Sequence, residues 1–342
     1  MVKRPIGSKS IGTALAAASV AGIPLGGAAA QSAPEPASGT TVSVEGGVTF
    51  SNYWQTTFPN GAIGVLPAVY DPDKTGSPPV SSGTLNSKDN IGGYGSFSLA
   101  RDVNASLDWR FSAAFYDFGT TSSSGSASQF FTGEYDSFTN TASATENDRF
   151  YFETFDFDFG RKWTQGLIAF RAFAGLRGLY ENETFTTSLS TEGTDKVGYD
   201  PATFATTDTN IFANGKSRFF GAGPRVGIDF NTVSTWGLVG SVSGALIGGI
   251  RDGTYDTATN VSVDGGPPSA FTTSVSSNRA DWVGNLEAMF GVAWQFSPQG
   301  QLVIGYKVDQ WYNIRDNFNF AGFSNKQDIL TQTPFLRVTL RY

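Results

Sequence analysis

The chain has 342 residues, 23 basic against 30 acidic side chains for a formal charge of −7, and neither histidine nor cysteine. Without histidine, the commonest general base and transition-metal ligand is gone, which excludes Ser-His-Asp, Cys-His and His-zinc chemistry; without cysteine, an exported fold must hold together without disulfides. The acidic balance repels phosphate backbones, so nucleic acid is not an expected partner.

The first element is a leader. Lys3, Arg4 and Lys9 precede an apolar stretch from Ile11 to Ile23 that runs into Ala28-Ala29-Ala30, the order of a cleaved secretory signal over residues 1–30. Its apolar run is shorter than the roughly 18 residues that a helical span requires. Removing those three basic residues with the leader turns the formal −7 into −10. Residues 31–40 are then expected as a short periplasmic segment, and residues 41–342 as the folded body.

From there the ordering signal is alternation, with apolar or aromatic side chains at every second position and small, polar or charged ones between. Ten strands are predicted, at Thr41–Trp54, Gly92–Arg101, Ser106–Phe118, Phe150–Gly160, Leu167–Tyr180, Arg218–Asn231, Leu238–Arg251, Ala280–Phe296, Gln301–Tyr312 and Ile329–Tyr342. Phe155, Phe157 and Phe159 oppose Asp156 and Asp158; Leu302, Ile304, Tyr306 and Val308 oppose Lys307 and Asp309. The connections alternate as well. Short links at Asp102–Ala105, Arg161–Gly166, Thr232–Gly237 and Ser297–Gly300 take turns with long Ser, Thr, Gly and Asn-rich stretches such as Gly119–Asp148 and Glu181–Asn214, which read as solvated loops.

Strict alternation of short and long links is the pattern of a transmembrane antiparallel up-and-down β-barrel, with short periplasmic turns and long extracellular loops. The soluble alternative, a sandwich, disagrees with the tryptophans. Trp54, Trp109, Trp163, Trp236, Trp282, Trp294 and Trp311 each fall near a predicted strand end, as interfacial girdles require. The chain also stops on an aromatic inside a strand, where Leu336, Val338, Leu340 and Tyr342 share one face and form the expected signal for the barrel-insertion machinery. In hydrocarbon the first and last strands must pair to satisfy their backbones. The predicted location is the Gram-negative outer membrane, with its lipid and lipopolysaccharide as surroundings.

By parity the inward face holds Asp108, Arg110, Asp156, Asp158, Arg171, Arg177, Arg225, Asp229, Arg251, Glu287, Lys307, Asp309, Arg337 and Arg341. Two readings follow: a charged passage for small solutes or ions, or a satisfied ion-pair network that closes a narrow lumen. Crowded opposite charges favour pairing. Gly221, Gly223, Gly244, Gly248 and Gly249 are expected to leave room beside the long side chains. A lipid-facing cation, as in Phe157→Arg, is expected to cost more than Asp158→Arg on the inward face.

Phe220-Gly-Ala-Gly-Pro-Arg-Val-Gly-Ile-Asp229, Leu238-Val-Gly-Ser-Val-Ser-Gly-Ala-Leu246 and Gly305-Tyr-Lys-Val-Asp-Gln-Trp311, with Arg171-Ala-Phe-Ala-Gly-Leu-Arg177 less specifically, resemble the pore-forming outer-membrane proteins typified by the Legionella major outer-membrane protein. The resemblance covers most of the second half. It implies a pore-forming barrel with no cofactor and no catalytic residue. The expected function is a passive small pore with a charged lumen; the alternative is a non-conducting structural or surface-binding barrel that acts through its long extracellular loops.

Overall fold

The computed structural model describes residues 39–51, 80–83, 90–132, 137–196, 204–318 and 324–342. The expected leader, the 31–38 part of the segment after it, and Trp54 lie outside the described residues. Eleven strands are present: β1 Thr40–Ser51, β2 Val80–Gly83, β3 Asn90–Asp102, β4 Leu107–Thr132, β5 Ser137–Gln165, β6 Ile168–Lys196, β7 Phe204–Thr232, β8 Trp236–Val263, β9 Ser269–Ser297, β10 Gly300–Phe318 and β11 Ser324–Arg341. Ten of them close an antiparallel ring in the order β4-β3-β1-β11-β10-β9-β8-β7-β6-β5, with β5 returning to β4. The four-residue β2 adds to β4 at Ala127–Phe130, beyond the end of β3.

Closure brings the two ends of the described barrel together. Val44 stands opposite Val338 and Glu45 opposite Arg337. Tyr342 donates its amide to the Thr40 carbonyl at 2.9 Å, and Thr40 donates back to the Tyr342 carbonyl at 3.1 Å. No sheet edge is then left in the ring to meet hydrocarbon.

All four short links appear as tight turns, at 103–106, 166–167, 233–235 and 298–299. Each has local chemistry that stops the strand. The Asn104 side chain accepts from the amides of Ser106 and Leu107, both at 2.9 Å, and Gly166 supplies the positive φ of 60° that reverses β5 into β6.

The long links differ from expectation. Gly119–Asp148 and Glu181–Asn214 are largely paired strand, with β4 and β5 in register out to Thr132 opposite Ser137, and β6 and β7 out to Lys196 opposite Phe204. Strands of 29 residues extend about 100 Å along their length, far more than a tilted strand needs to cross a band about 25 Å tall. The extra length forms tall hairpins on β4 to β9. Ser and Thr occupy both faces there, so the ladder continues with no apolar alternation to mark it.

The outward face is apolar over a limited height. On β8, exposed Trp236, Leu238, Val242, Leu246 and Ile250 give way to exposed Asp252, Thr254 and Asp256. Leu238 to Ile250 covers about 40 Å of strand, or roughly 30 Å of height at a 45° tilt. Aromatic pairs mark the rim with the short turns: Trp163 stacks on Phe170 at 5.5 Å and Trp236 on Trp294 at 5.8 Å. Trp109 lies on the same outward parity beside the 103–106 turn, and half-exposed Trp282 marks the opposite margin. Trp311 does not belong to a girdle: it is 1 % exposed and points inward, because it shares the face of Lys307 and Asp309.

Candidate functional site

The inward face of the ring is the candidate site, and the order of residues along each strand stacks it into layers. On β6, inward positions run Arg171, Phe173, Gly175, Arg177, Leu179, Glu181 and Glu183; on β5, in the reverse direction, Asp148, Phe150, Phe152, Thr154, Asp156 and Asp158. Each strand thus contributes charge, then apolar bulk, then charge again.

Nearest the short turns, Arg171 holds Asp108 at 2.8 Å and Asp229 at 3.3 Å, and Arg110 reaches the same Asp229 carboxylate at 3.0 Å. Lys162 bridges Asp102 and Asp108. Arg337 binds Glu45 at 2.5 Å across the β1–β11 seam. Gly160 makes the lower layer possible, since a Cβ there would sit 2.3 Å from Arg171 Nε and 2.5 Å from Asp108 Oδ1.

The middle layer is more tightly coupled. Arg177 meets Asp156 with two hydrogen bonds of 2.7 Å, binds Glu287 at 3.1 Å and contacts Asn285. Arg225 holds Asp158 at 2.5 Å and Asp156 at 3.6 Å. Lys307 lies between Glu287 at 3.5 Å and Asp309 at 3.7 Å, over the rings of Tyr94 and Tyr116. The Tyr116 hydroxyl donates to Asp309 at 2.8 Å. Such pairs stand against a large desolvation cost, which only dense hydrogen bonding offsets.

Above it lies an apolar layer: Tyr94, Tyr116, Phe118, Phe150, Phe152, Leu179, Phe219, Ile247, Val283, Trp311, Ile314 and Ile329, none more than 7 % exposed. Every ring strand except β1 contributes. Tyr116 stacks on Phe152 at 4.4 Å, and Trp311 meets Phe152 edge-on at 5.0 Å. Ile314 reaches the layer through a bulge on β10, where the register to β11 slips between Trp311 and Arg315 and Asn313 takes a φ of 57°.

The upper layer caps that bulge. Arg251 binds Glu181 and Asp281, each at 2.9 Å, and donates to the backbone carbonyls of Asn313 and Ile314 at 3.0 Å. Arg315 binds Asp148 at 2.6 Å and contacts Glu183.

All the inward residues that parity singles out enter these ion pairs except Arg341, which is exposed at the end of β11. Parity alone does not reach Asp148, Glu181, Glu183, Arg315 or Asp316, the last paired with Arg279, because all five lie past the predicted strand ends. Glu45, Tyr94, Tyr116 and Asp281 lie inside predicted strands, where their inward parity is the signal that marks them. Of the predicted space-making glycines, Gly244 and Gly248 are on the outward parity and Gly221, Gly223 and Gly249 meet backbone or Phe219. The positions that admit the charged layers are Gly160 and Gly175, whose added Cβ would lie 2.6 Å from Asp158 Oδ1. Leu336, Leu340 and Tyr342 are exposed on the outer wall, with Val338 on the same parity.

Among solved structures the chain is similar to the outer membrane protease OmpT of Escherichia coli, at 8 % identity and a TM-score of 0.35 over 89 % of this chain and 96 % of that one. It is similar to Neisserial surface protein A, at 11 % identity and a TM-score of 0.26 over 89 % and 97 %. Similarity to the toluene transporter TodX of Pseudomonas putida is 8 % identity with a TM-score of 0.22, over 89 % and 90 %. At these values no activity is carried over from any of them. No curated protein matches the chain. The profile of the Legionella pneumophila major outer membrane protein precursor matches residues 94–341, a wider span than the motifs in the second half alone. The chain belongs to the Legionella major outer membrane protein family.

Proposed function

We propose that the chain is a non-catalytic outer-membrane barrel whose lumen is closed at rest, and that it serves as a rigid wall presenting tall hairpins at the cell surface. The observation that carries this reading is the apolar layer of Tyr94, Phe152, Leu179, Trp311, Ile314 and their neighbours across the lumen, held between two ion-paired layers. An aqueous path would have to run past side chains that are almost wholly buried, and dewetted constrictions of this kind block ions. The open-passage reading of the inward charges has less support, because those charges neutralise each other.

A solute-efflux assay on proteoliposomes tests the reading. Vesicles carrying the full-length barrel should retain a small sugar as long as empty vesicles do. Rapid loss of the sugar at one barrel per vesicle would overturn the closed lumen and restore the passive pore.

A further inference from the structure

We propose that Arg149, Lys216 and Arg218 form a binding site for the phosphates of outer-leaflet lipopolysaccharide on the outside of the β5–β7 wall. The register places them together. Arg149 on β5 stands opposite Thr184 on β6, and Thr184 opposite Lys216 on β7; one ladder step toward the membrane, Tyr151 stands opposite Asn182, and Asn182 opposite Arg218. All three cations lie on the outward parity and all are exposed. Two strand spacings separate Arg149 from Lys216 by about 10 Å, and Lys216 and Arg218 are about 7 Å apart along β7.

Three observations point to an anionic lipid headgroup. The site sits one step above the aromatic margin of the apolar band, where Tyr151 packs on Tyr180 at 6.2 Å and Phe220 and Ile250 are exposed. That is the height of the headgroups when the hairpins face outward. The three cations also lack what the lumen cations have: Arg177, Arg225, Arg251 and Lys307 each hold a carboxylate, while no carboxylate lies within ion-pair distance of Arg149, Lys216 or Arg218 among the described residues. Asp252 is opposite Arg218 in register but accepts from Asn278 at 2.5 Å. Finally, the chain as a whole is acidic, so a basic cluster on its outer wall is a local exception to the overall balance. Guanidinium and ammonium groups at this spacing can each donate to a different phosphate oxygen. The Arg149 guanidinium already lies over the Tyr151 ring at 6.0 Å, which orients it toward the headgroup layer.

The inference rests on the membrane embedding and on outward-facing hairpins, not on the closed lumen, so a leaky barrel would leave it standing. The test measures binding of purified phosphorylated lipopolysaccharide to the full-length folded barrel in neutral detergent at low salt. Arg149→Gln/Lys216→Gln/Arg218→Gln should weaken binding on the order of a hundredfold, while Arg149→Lys/Arg218→Lys and the opposite-rim variant Arg101→Gln/Arg161→Gln should bind as the wild type does. Dephosphorylated lipopolysaccharide, an arm that needs no variant, should bind the wild type as weakly as the triple variant binds the phosphorylated form. Equal binding of both lipids, unchanged binding by the triple variant, or an equal loss in the opposite-rim variant would overturn the site. So would full displacement by inorganic phosphate, which would mean a free-anion site, or equally tight binding of phosphatidylglycerol vesicles.

Discussion

Arg177 and Asp156 stand directly opposite each other on β6 and β5 and share two parallel hydrogen bonds of 2.7 Å in the middle of the barrel. Removing one member of such a buried pair leaves the other charged and unpaired, at a cost of about 3–5 kcal/mol. Arg177→Ala should therefore lower the urea midpoint for refolding into lipid vesicles. Arg177→Ala/Asp156→Ala should recover part of the loss, and a double variant no better than the single would show that the pair is not coupled.

The two faces of β5 differ in what they tolerate. Phe157 faces outward and is 43 % exposed, so Phe157→Arg places a cation in hydrocarbon at a cost of about 2–4 kcal/mol. The sequence expectation that Asp158→Arg is the milder change needs correction, because Asp158 is fully buried and holds Arg225 at 2.5 Å. A second guanidinium there would face the first. Both substitutions should impair refolding, whereas Phe157→Leu should change it by less than about 1 kcal/mol. Wild-type stability of Asp158→Arg would contradict the lumen geometry.

The tall hairpins should be dispensable for insertion. Replacing Ser122–Asn147 by an Asn-Gly turn keeps the Thr121–Asp148 register and the Asp148–Arg315 pair while removing strand outside the apolar band. The shortened barrel should keep the heat-modifiable electrophoretic shift of the full chain. Loss of that shift would mean that this hairpin stabilises the ring itself.

Tyr342 closes the seam with Thr40 through two backbone hydrogen bonds and displays an exposed ring on the outer wall. Deleting it removes both bonds and the exposed ring. The folded fraction in outer membranes should fall, as read by heat-modifiability in membrane extracts. Tyr342→Phe keeps both bonds and the ring, and should insert normally.

Much of this architecture is written in local chemistry. Phe155, Asp156, Phe157 and Asp158 declare their faces because hydrocarbon and a polar lumen demand opposite side chains at successive positions. Asn104 and Gly166 declare their turns through side-chain capping and a positive φ. The hairpin extensions are nearly silent: Phe185, Ala213 and Tyr255 are buried together just past the predicted strand ends, but the Ser and Thr on both faces around them set no apolar period. Glu181 and Glu183 continue the parity of Arg177 and are readable in principle, but the apolar alternation that marks the strand fades at Tyr180. Trp311 lies near a predicted strand end, as a girdle residue would, but its parity with Lys307 and Asp309 places it inside. The β10 bulge that brings in Ile314 depends on partners across the lumen, Arg251 above all, and no local pattern encodes those.

The closed lumen is tested most directly by single-channel recording in planar bilayers, comparing the full-length chain with Phe152→Ala/Trp311→Ala. These two rings meet at 5.0 Å in the apolar layer, and their loss should open the constriction while the ion pairs on either side keep their partners. The wild type should be silent and the double variant should show discrete openings. Steady openings of equal amplitude in both proteins would contradict the closed barrel.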